Sequence, residues 1–151
     1  MENSNNKQQD RVRRSSTDAA NREIDEKTLE NINRYGYDSP KKIDKRLKKL
    51  SKEWDLERAL EVNASTLALT GLVLGATKDK RWFILPGIVA SFLLQHGLQG
   101  WCPPLPILRK MGFRTRKEID EERNALKALR GDYNKVLGAT TPEGVLQVVR
   151  S

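Results

Sequence analysis

The sequence has little of what a sulfur or metal site needs. Cysteine and histidine occur once each, as Cys102 and His96, which excludes an intrachain disulfide and any metal site built from several cysteines. The first ten residues are polar and include Glu2 and Asp10. We therefore expect neither a secretory signal peptide nor an acid-poor transit peptide. Phosphate loops, metal-ligand clusters and catalytic triads have no counterpart in the sequence. We predict no catalytic residues, no metal, no cofactor and no enzymatic activity.

Long uncharged runs are also scarce, and the two that exist are neighbours. The chain is 37% hydrophobic and 32% charged, but residues 62–77 and 82–101 contain no Asp, Glu, Lys or Arg. Extended back to about residue 60, the first run approaches the length that crosses a bilayer, and the second is about 30 Å long as a helix. The sequence therefore predicts an all-α protein with a two-helix transmembrane hairpin over residues 61–101, its spans at about 60–77 and 82–101.

The residues before the hairpin are predicted to form a tail and a helix. Residues 1–38 are polar and are expected to be a disordered tail. Ser39 and Pro40 are typical of a helix start, and Ile43, Leu47, Leu50 and Trp54 then recur on one helical face. We interpret residues 39–60 as a basic amphipathic juxtamembrane helix lying in a membrane interface. The alternative is a helix that packs this apolar stripe on another protein helix.

The residues after the hairpin are predicted to form a loop and a second helix. Successive prolines indicate an exit loop over residues 102–114, because they cannot continue a helix. Thr115 and Glu118 match a capping box, which predicts a cytoplasmic helix over residues 115–137. Residues 138–151 are expected to be a C-terminal tail. The fold class is thus a hairpin flanked by an N-terminal basic amphipathic helix and a C-terminal cytoplasmic helix.

The basic residues predict both a partner and an orientation. A formal net charge of +8 suits an anionic phospholipid leaflet, and nucleic acid is not expected as the partner. Lys and Arg are denser beside the two outer ends of the hairpin than in its turn, so both termini are predicted to be cytoplasmic. Three tryptophans near segment ends are predicted interface anchors: Trp54, Trp82 and Trp101. Predicted lipid contacts are Lys41, Lys42, Lys45, Arg46, Lys48, Lys49, Lys52, Arg109 and Lys110.

Candidate functional residues gather at the cytoplasmic ends of the two spans. Equal distance from the turn predicts a polar layer in the membrane made of Asn63, Gln95, His96 and Gln99. Such a layer supplies interhelical hydrogen bonds, and the sharper hypothesis gives His96 a role in handling protons or anions. Cys102 is a candidate thiol site, although a helix C-terminus disfavours its thiolate.

The order of features from about residue 43 to 133 resembles the YgaP-like transmembrane domain family. The residues that carry the resemblance are Asp44 and Arg46, the Gly100-Trp101-Cys102-Pro103 exit, and the apolar run from Leu105 to Gly112. The resemblance implies a small hairpin of the bacterial inner membrane, found alone or after a rhodanese domain. No stretch before this hairpin is suited to a rhodanese domain, so sulfurtransferase activity is not carried over.

These observations predict a multi-pass inner-membrane protein that acts as an anchor, assembly or scaffold module. A homodimer and a membrane-protein partner are both left open. The first alternative is a membrane accessory to sulfur or thiol handling that uses Cys102. The second is a soluble, basic, helical nucleic-acid-binding protein.

Overall fold

The computed structural model describes residues 10–134, 141–144 and 146, and within them the protein is all-α, without strands. The chain divides into two compact units. The first unit comprises Met1–Ile24 and Trp54–Arg116, and the second comprises Asp25–Glu53 and Lys117–Ser151. The elements are α1 (Arg11–Arg14), α2 (Asp18–Gly36), α3 (Pro40–Leu50), α4 (Leu56–Thr77), a 3-10 turn (Lys80–Phe83), α5 (Ile84–Gln99), α6 (Leu105–Lys110) and α7 (Arg116–Arg130).

The core of the second unit is formed by apolar stripes of α3 and α7. Ile43 and Leu50 from α3 pack with Ile119 and Leu126 from α7, and all four side chains are buried. Tyr35, near the end of α2, packs against this cluster. The apolar stripe of α3 therefore packs on another helix of the protein, α7, which agrees with the alternative interpretation of this stripe. Burial of such side chains contributes about 1.5–3 kcal/mol each to folding.

A buried ion pair lies in the same unit. Nε of Arg46 donates to Oε1 of Glu122 over 2.7 Å, and the guanidinium also lies 5.6 Å from the ring centroid of Tyr35. Arg46 is 9% exposed and Glu122 is fully buried. The prediction that Arg46 contacts lipid is therefore wrong, because its charge is directed to a carboxylate in the protein interior.

The core of the first unit joins α1, α4 and the segment that follows α5. Val12, Leu56, Leu60, Cys102 and Leu105 form this buried cluster, and Leu108 and Phe113 pack against it. Asp55 caps α4 by accepting a hydrogen bond from the backbone nitrogen of Arg58 at 2.8 Å. The backbone nitrogen of Leu56 donates to the carbonyl of Arg114 at 2.8 Å.

Within the first unit, α4 and α5 contact each other through two glycines. A Cβ atom on Gly71 would lie 2.6 Å from Cδ of Pro86, and one on Gly75 would lie 2.9 Å from Cδ1 of Phe83. Both distances are too short for a methyl group, so the absence of a side chain is what permits this approach. Gly71 and Gly75 thus form the face of α4 that packs on the segment from Phe83 to Pro86.

The C-terminal end of α5 is covered by α1. Gly100 ends the helix in the left-handed conformation, with φ of 75°, and its nitrogen donates to the carbonyl of His96 at 2.8 Å. A Cβ on Gly100 would lie 2.7 Å from the backbone of Arg11. The Arg11 guanidinium donates to the carbonyl of Gly97, so a cation satisfies the partial negative charge of the helix end.

The N-terminal part differs from its predicted disorder. Residues 1–38 were expected to be a tail, but α1 and the long α2 fall within them, so the prediction is wrong there; residues 1–9 lie outside the described part of the chain. The hydroxyl of Thr17 accepts a hydrogen bond from the nitrogen of Ala20, which caps the start of α2. Ala20 and Ile24 are buried, and their burial contributes part of the free energy that opposes the ordering entropy of this segment.

Three predicted boundaries after residue 39 also change. The helix expected over 39–60 begins as predicted at Pro40 but ends at Leu50, and Trp54 lies beyond it. The loop expected over 102–114 contains α6, because its prolines precede or occupy the first turn, where a missing N–H costs little. The helix expected over 115–137 ends at Arg130, where Gly131 takes φ of 86°. Residues 135–140 lie outside the described ranges.

Candidate functional site

The most unusual surface of the protein is an apolar belt on α4 and α5. Leu69 on α4 is 62% exposed and Leu98 on α5 is 70% exposed, and large apolar neighbours share this exposure. Exposed apolar patches of this extent mark contact with another protein or with a membrane. The belt residues are Val62, Leu67, Leu69, Leu72, Val73, Ile84, Ile88, Phe92, Leu93, Leu94 and Leu98.

Five polar side chains within the belt donate hydrogen bonds to their own helices. The hydroxyls of Thr66, Thr70 and Thr77 on α4 each donate to the carbonyl four residues earlier at 2.7 Å. Ser91 on α5 donates in the same way to Gly87 at 2.9 Å, and Asn63 donates to the carbonyl of Ala59 at 2.8 Å. These hydroxyls and this amide therefore need no water for the hydrogen bonds they donate.

The two helices of the belt differ in length. Among the described residues, one helix, α4 (Leu56–Thr77), is long and apolar enough to cross a membrane, and only 22% of its most apolar window is buried. The second predicted span, 82–101, is a 16-residue helix, α5, preceded by the 3-10 turn. At 1.5 Å per residue, α5 is about 24 Å long, which is shorter than the hydrocarbon layer of about 30 Å.

A cavity of about 410 Å³ lies in the first unit at the end of the belt farthest from the turn. Leu60, Asn63 and Leu67 line it from α4, and Phe92 and His96 line it from α5. The remaining lining comes from Ala64, Val89, Leu93, Cys102, Pro103, Pro104, Ile107 and Leu108. The lining is therefore almost entirely apolar, with His96 and Asn63 as its main polar side chains. We call this space the belt cavity.

Local structure positions the wall that faces α4 and α5. The left-handed turn at Gly100 redirects the chain after α5, and the carbonyl of Cys102 accepts from the nitrogen of Leu105 at 3.0 Å. Burial of Leu105 then brings Ile107 and Leu108 of α6 to the cavity. Sequence reasoning missed these two residues because the prolines before them were interpreted as a loop.

His96 lines the belt cavity, although its Nδ1 does not reach the cavity surface. Its Nδ1 is buried and has no hydrogen-bond partner among the residues that the structure describes. Buried polar nitrogen without a partner is rare, because it forfeits the hydrogen bonds that it would make in water. The predicted site residue is therefore placed in a pocket, with an unmet need for one hydrogen bond.

Cys102 is a poor nucleophile in this setting. The residue is 3% exposed and belongs to the hydrophobic cluster of the first unit. Burial raises the pKa of the Cys102 thiol, and the hydrogen bond involving the Leu105 backbone offsets only part of this effect. The thiol thus stays protonated at neutral pH, which does not favour sulfur transfer.

The predicted polar layer is only partly assembled. Asn63, His96 and Cys102 line the belt cavity, whereas Gln95 and Gln99 do not. The backbone carbonyl of Gln99 accepts from the hydroxyl of Ser15 at 3.3 Å, so this position contacts the N-terminal segment. Asn63 bonds within its own helix, and no hydrogen bond between α4 and α5 side chains is recorded for these residues.

The residues predicted to contact the membrane surface are either exposed, as the tryptophans and lysines are, or buried, as Arg109 is. Trp54, Trp82 and Trp101 are exposed, and the Arg58 guanidinium lies 4.7 Å from the Trp54 ring centroid. The lysines are exposed as well: Lys41, Lys42, Lys45, Lys48, Lys49, Lys52 and Lys110. Arg109 is only 2% exposed, and it donates to Oδ1 of Asn21 at 2.7 Å. The prediction that Arg109 contacts lipid is wrong, because its guanidinium links α6 to α2 inside the first unit.

No group of three or more His, Cys, Asp or Glu side chains suited to a metal ion occurs in the described part of the chain. Comparison of the sequence with protein-family models and with curated proteins, and of the structure with solved structures, finds no match. The physical character of the belt and its cavity is therefore the basis for a functional conclusion.

Proposed function

We propose that α4 and α5 form a transmembrane hairpin and that the protein is a small integral membrane protein acting as an anchor or assembly module. The observation that carries this proposal is the apolar belt, which covers both helices and contains no Asp, Glu, Lys or Arg between Val62 and Thr77 or between Trp82 and Gln99. A soluble monomer would expose this surface to water at about 25 cal/mol per Å². A bilayer removes that cost.

Two further observations support insertion. Four hydroxyls of the belt, those of Thr66, Thr70, Thr77 and Ser91, bond to their own helices, as a lipid environment requires of polar groups that face it. The core helix of a soluble protein would be mostly buried, whereas most of the apolar window of α4 is exposed. The shorter α5 is compatible with a hairpin if Trp82 and Phe83 of the 3-10 turn extend it toward the interface.

The second unit suits a cytoplasmic role beside the membrane. Its apolar side chains on α3 are used in its own core, so α3 has no stripe left to insert. Its exposed lysines still favour an anionic leaflet through charge alone, at about 1 kcal/mol for each lysine near the surface. We propose that both termini are cytoplasmic and that this unit presents a folded surface to a membrane-protein partner or to a second copy of the chain.

The bacterial inner membrane is the proposed location, and it is supported by the resemblance of the short motifs around Asp44 and Gly100–Pro103 to YgaP-like hairpins. The thiol-handling alternative is weakened by the buried, protonated Cys102. The nucleic-acid alternative leaves the apolar belt without a partner. Neither alternative accounts for as many features of the first unit as a membrane anchor does.

Carbonate extraction of the full-length protein expressed in bacteria tests the proposal. We expect the wild-type protein to stay in the membrane pellet at alkaline pH. Leu69→Arg, near the centre of α4, should lower membrane recovery, because a central arginine costs roughly 2.5–3.5 kcal/mol of insertion free energy. Leu29→Arg is the matched control, since Leu29 is 59% exposed but lies on α2 outside the belt. Quantitative release of the wild-type protein into the soluble fraction would refute the proposal.

A further inference from the structure

We propose that α6 is an interfacial helix, and that the segment from Trp101 to Met111 lies beside the hairpin in the cytoplasmic leaflet, between headgroups and acyl chains. The inference is carried by an exposed apolar edge on α6 and by the position of this helix beside the belt. It rests on the proposed membrane hairpin and deepens it, because it assigns lipid contact to a segment whose prolines predict a loop. The helix predicted to lie in the interface, α3, uses its apolar stripe in the core of the second unit instead.

The two sides of α6 differ in exposure. Leu105 is fully buried in the core of the first unit, and Leu108 packs against that core. The opposite side carries Ile107, which is 64% exposed, and Met111 one turn later, which is 68% exposed. Side chains four residues apart are neighbours on a helical surface, so these two form one apolar edge. This edge has no apolar cover from the described part of the chain.

Polar contacts hold α6 in this orientation. Arg109 lies on the buried side of α6, where it is 2% exposed. Its guanidinium donates to Oδ1 of Asn21 at 2.7 Å and to the carbonyl of Phe113 at 3.2 Å. Turning the apolar edge inward would break these contacts and expose Leu105 in exchange. The edge therefore needs an apolar surrounding from outside the chain.

The belt cavity shows where this edge lies along the hairpin. Ile107 of α6 lines it together with Leu67 of α4 and Phe92 of α5. All three side chains are exposed although they line a cavity, so the space between the helices is open. The cavity extends along α4 from Leu60 to Leu67, about 10 Å of helix. With the belt in lipid, α6 lies in the same leaflet, at the depth where interfacial helices bury their apolar faces.

The polar residues around α6 also suit an anionic leaflet. Residues 80–117 contain no Asp or Glu, so no carboxylate of this segment repels lipid phosphates. Lys110 is exposed next to Met111, and a lysine there keeps its ammonium at the headgroups while its methylene groups cover apolar surface. Trp101 is exposed at the start of the segment, and tryptophan is enriched at membrane interfaces. A phospholipid surface therefore matches both the apolar edge and the charge of this segment.

Nitroxide labels on single cysteines test this location. Full-length protein with the Cys102→Ala substitution is placed in vesicles of phosphatidylethanolamine and phosphatidylglycerol, and collisions of each label with oxygen and with a water-soluble nickel chelate are measured. Oxygen concentrates among acyl chains, whereas the chelate stays in water. We expect labels at Ile107→Cys and Met111→Cys to collide more often with oxygen than with the chelate. Leu29→Cys is the matched control, because Leu29 is a comparably exposed apolar residue outside the belt, and it should show the reverse.

A label at Leu69→Cys, in the belt, reports on the hairpin separately. Oxygen-dominated collisions at Leu69 with chelate-dominated collisions at Ile107 and Met111 would overturn the interfacial position of α6 and leave the membrane hairpin in place. Chelate-dominated collisions at Leu69 would refute the hairpin and the position of α6 with it. Rare collisions with both reagents at Ile107 and Met111 would show that a protein or a second copy of the chain covers the edge, which would also overturn the proposal.

Photolabelling of the wild-type protein repeats the test without any substitution. The same vesicles receive a phospholipid with a diazirine at the headgroup end of one acyl chain, and tryptic peptides are analysed by mass spectrometry after illumination. Cleavage after Lys110 separates residues 111–114 from α5, and cleavage after Lys27 releases residues 28–34, which contain Leu29. We expect lipid adducts on the first peptide and only background on the second. Equal labelling of the two peptides would contradict the proposal.

Discussion

The ion pair between Arg46 and Glu122 lets a stability effect be traced to single residues. Glu122 is fully buried and Arg46 nearly so, and their 2.7 Å contact compensates two charges in the core of the second unit. Glu122→Leu would leave the guanidinium buried without its carboxylate, and we expect this to cost about 3–5 kcal/mol of unfolding free energy. Denaturation of the full-length protein in detergent, followed by circular dichroism, measures the change.

The double replacement identifies the origin of that loss. Arg46→Met combined with Glu122→Leu removes both charges, and it should recover most of the stability that Glu122→Leu alone loses. Lys42→Met serves as the control, because the Lys42–Asp38 pair is exposed and its loss should leave the unfolding midpoint unchanged. Equal destabilisation by the single and the double variant would show that the attraction between these charges is unimportant.

The Cys102 thiol leads to a pH-dependent prediction. Burial raises its pKa in the folded protein above the ordinary cysteine value of about 8.5, so the unfolded chain loses this proton first. The buried thiol therefore contributes stability below the ordinary pKa, and that contribution is lost as pH rises through the pKa of the folded state. The rate of iodoacetamide alkylation, measured from neutral to alkaline pH, should rise at higher pH in the folded than in the unfolded protein.

An exposed thiol provides the comparison for Cys102. In the double variant Cys102→Ser, Ser51→Cys, the new cysteine lies at an exposed position after α3, and its pH profile should match the unfolded chain. A native Cys102 that reacts faster than this exposed thiol at neutral pH would contradict the prediction. Such a result would support the alternative function, in which Cys102 handles sulfur or thiols.

At the scale of elements, the contact of α4 with α5 depends on the missing side chain of Gly71. Gly71→Ala would bring a methyl group within 2.6 Å of Pro86, so the two helices must separate, at about 1–3 kcal/mol. Gly87→Ala is the matched control, since nothing lies within 4 Å of its added Cβ, and alanine should stabilise the helix by about 0.5–1 kcal/mol. Thermal melting in one detergent should therefore move in opposite directions for the two variants. Equal shifts would argue against close packing at Gly71.

Local signals located some elements well. The start of α3 was predictable because Ser39 and Pro40 carry the chemistry of a helix N-terminus, and its apolar face follows from helical periodicity. The partner of that face was not predictable. The same stripe suits a membrane interface and another helix, and only the long-range packing of Ile43 and Leu50 on α7 distinguishes the two.

Other elements were missed because local composition and tertiary packing disagree. The sequence of α2 is polar enough to suggest a solvated tail, yet a few buried contacts such as Ile24 accompany a long helix. Pro104 and Pro106 suggest a loop, yet Pro104 is the N-cap of α6 and Pro106 lies in its first turn, where proline is tolerated. Two residues that line the candidate cavity, Ile107 and Leu108, were missed together with α6. His96 and Asn63 were found, since equal distance from the turn places them at one level.

At the scale of the whole molecule, the distribution of charge determines how a hairpin would be oriented. Eight Lys and Arg lie between Lys41 and Arg58, whereas the connection between α4 and α5 contains three. Because the flanking segments are the more basic, they are expected to remain in the cytoplasm and the connection to be translocated. Arg46 and Arg109 are buried, which lowers the number of exposed charges on the flanks, but the exposed lysines keep the asymmetry in the same direction.

Labelling of single cysteines, introduced in a Cys102→Ser background, tests which side of the membrane each segment faces. Asp79→Cys, in the exposed connection, should react in intact bacterial cells with a maleimide that crosses the outer but not the inner membrane. Ser51→Cys should react only after the inner membrane is opened. Two spans put both flanking segments on the same side of the membrane, and that side is predicted to be the cytoplasm. Labelling of both positions in intact cells, or of neither after opening, would contradict a two-span topology. Labelling of Ser51→Cys alone would show instead that the hairpin is inverted and that the three basic residues of the connection outweigh the flanks.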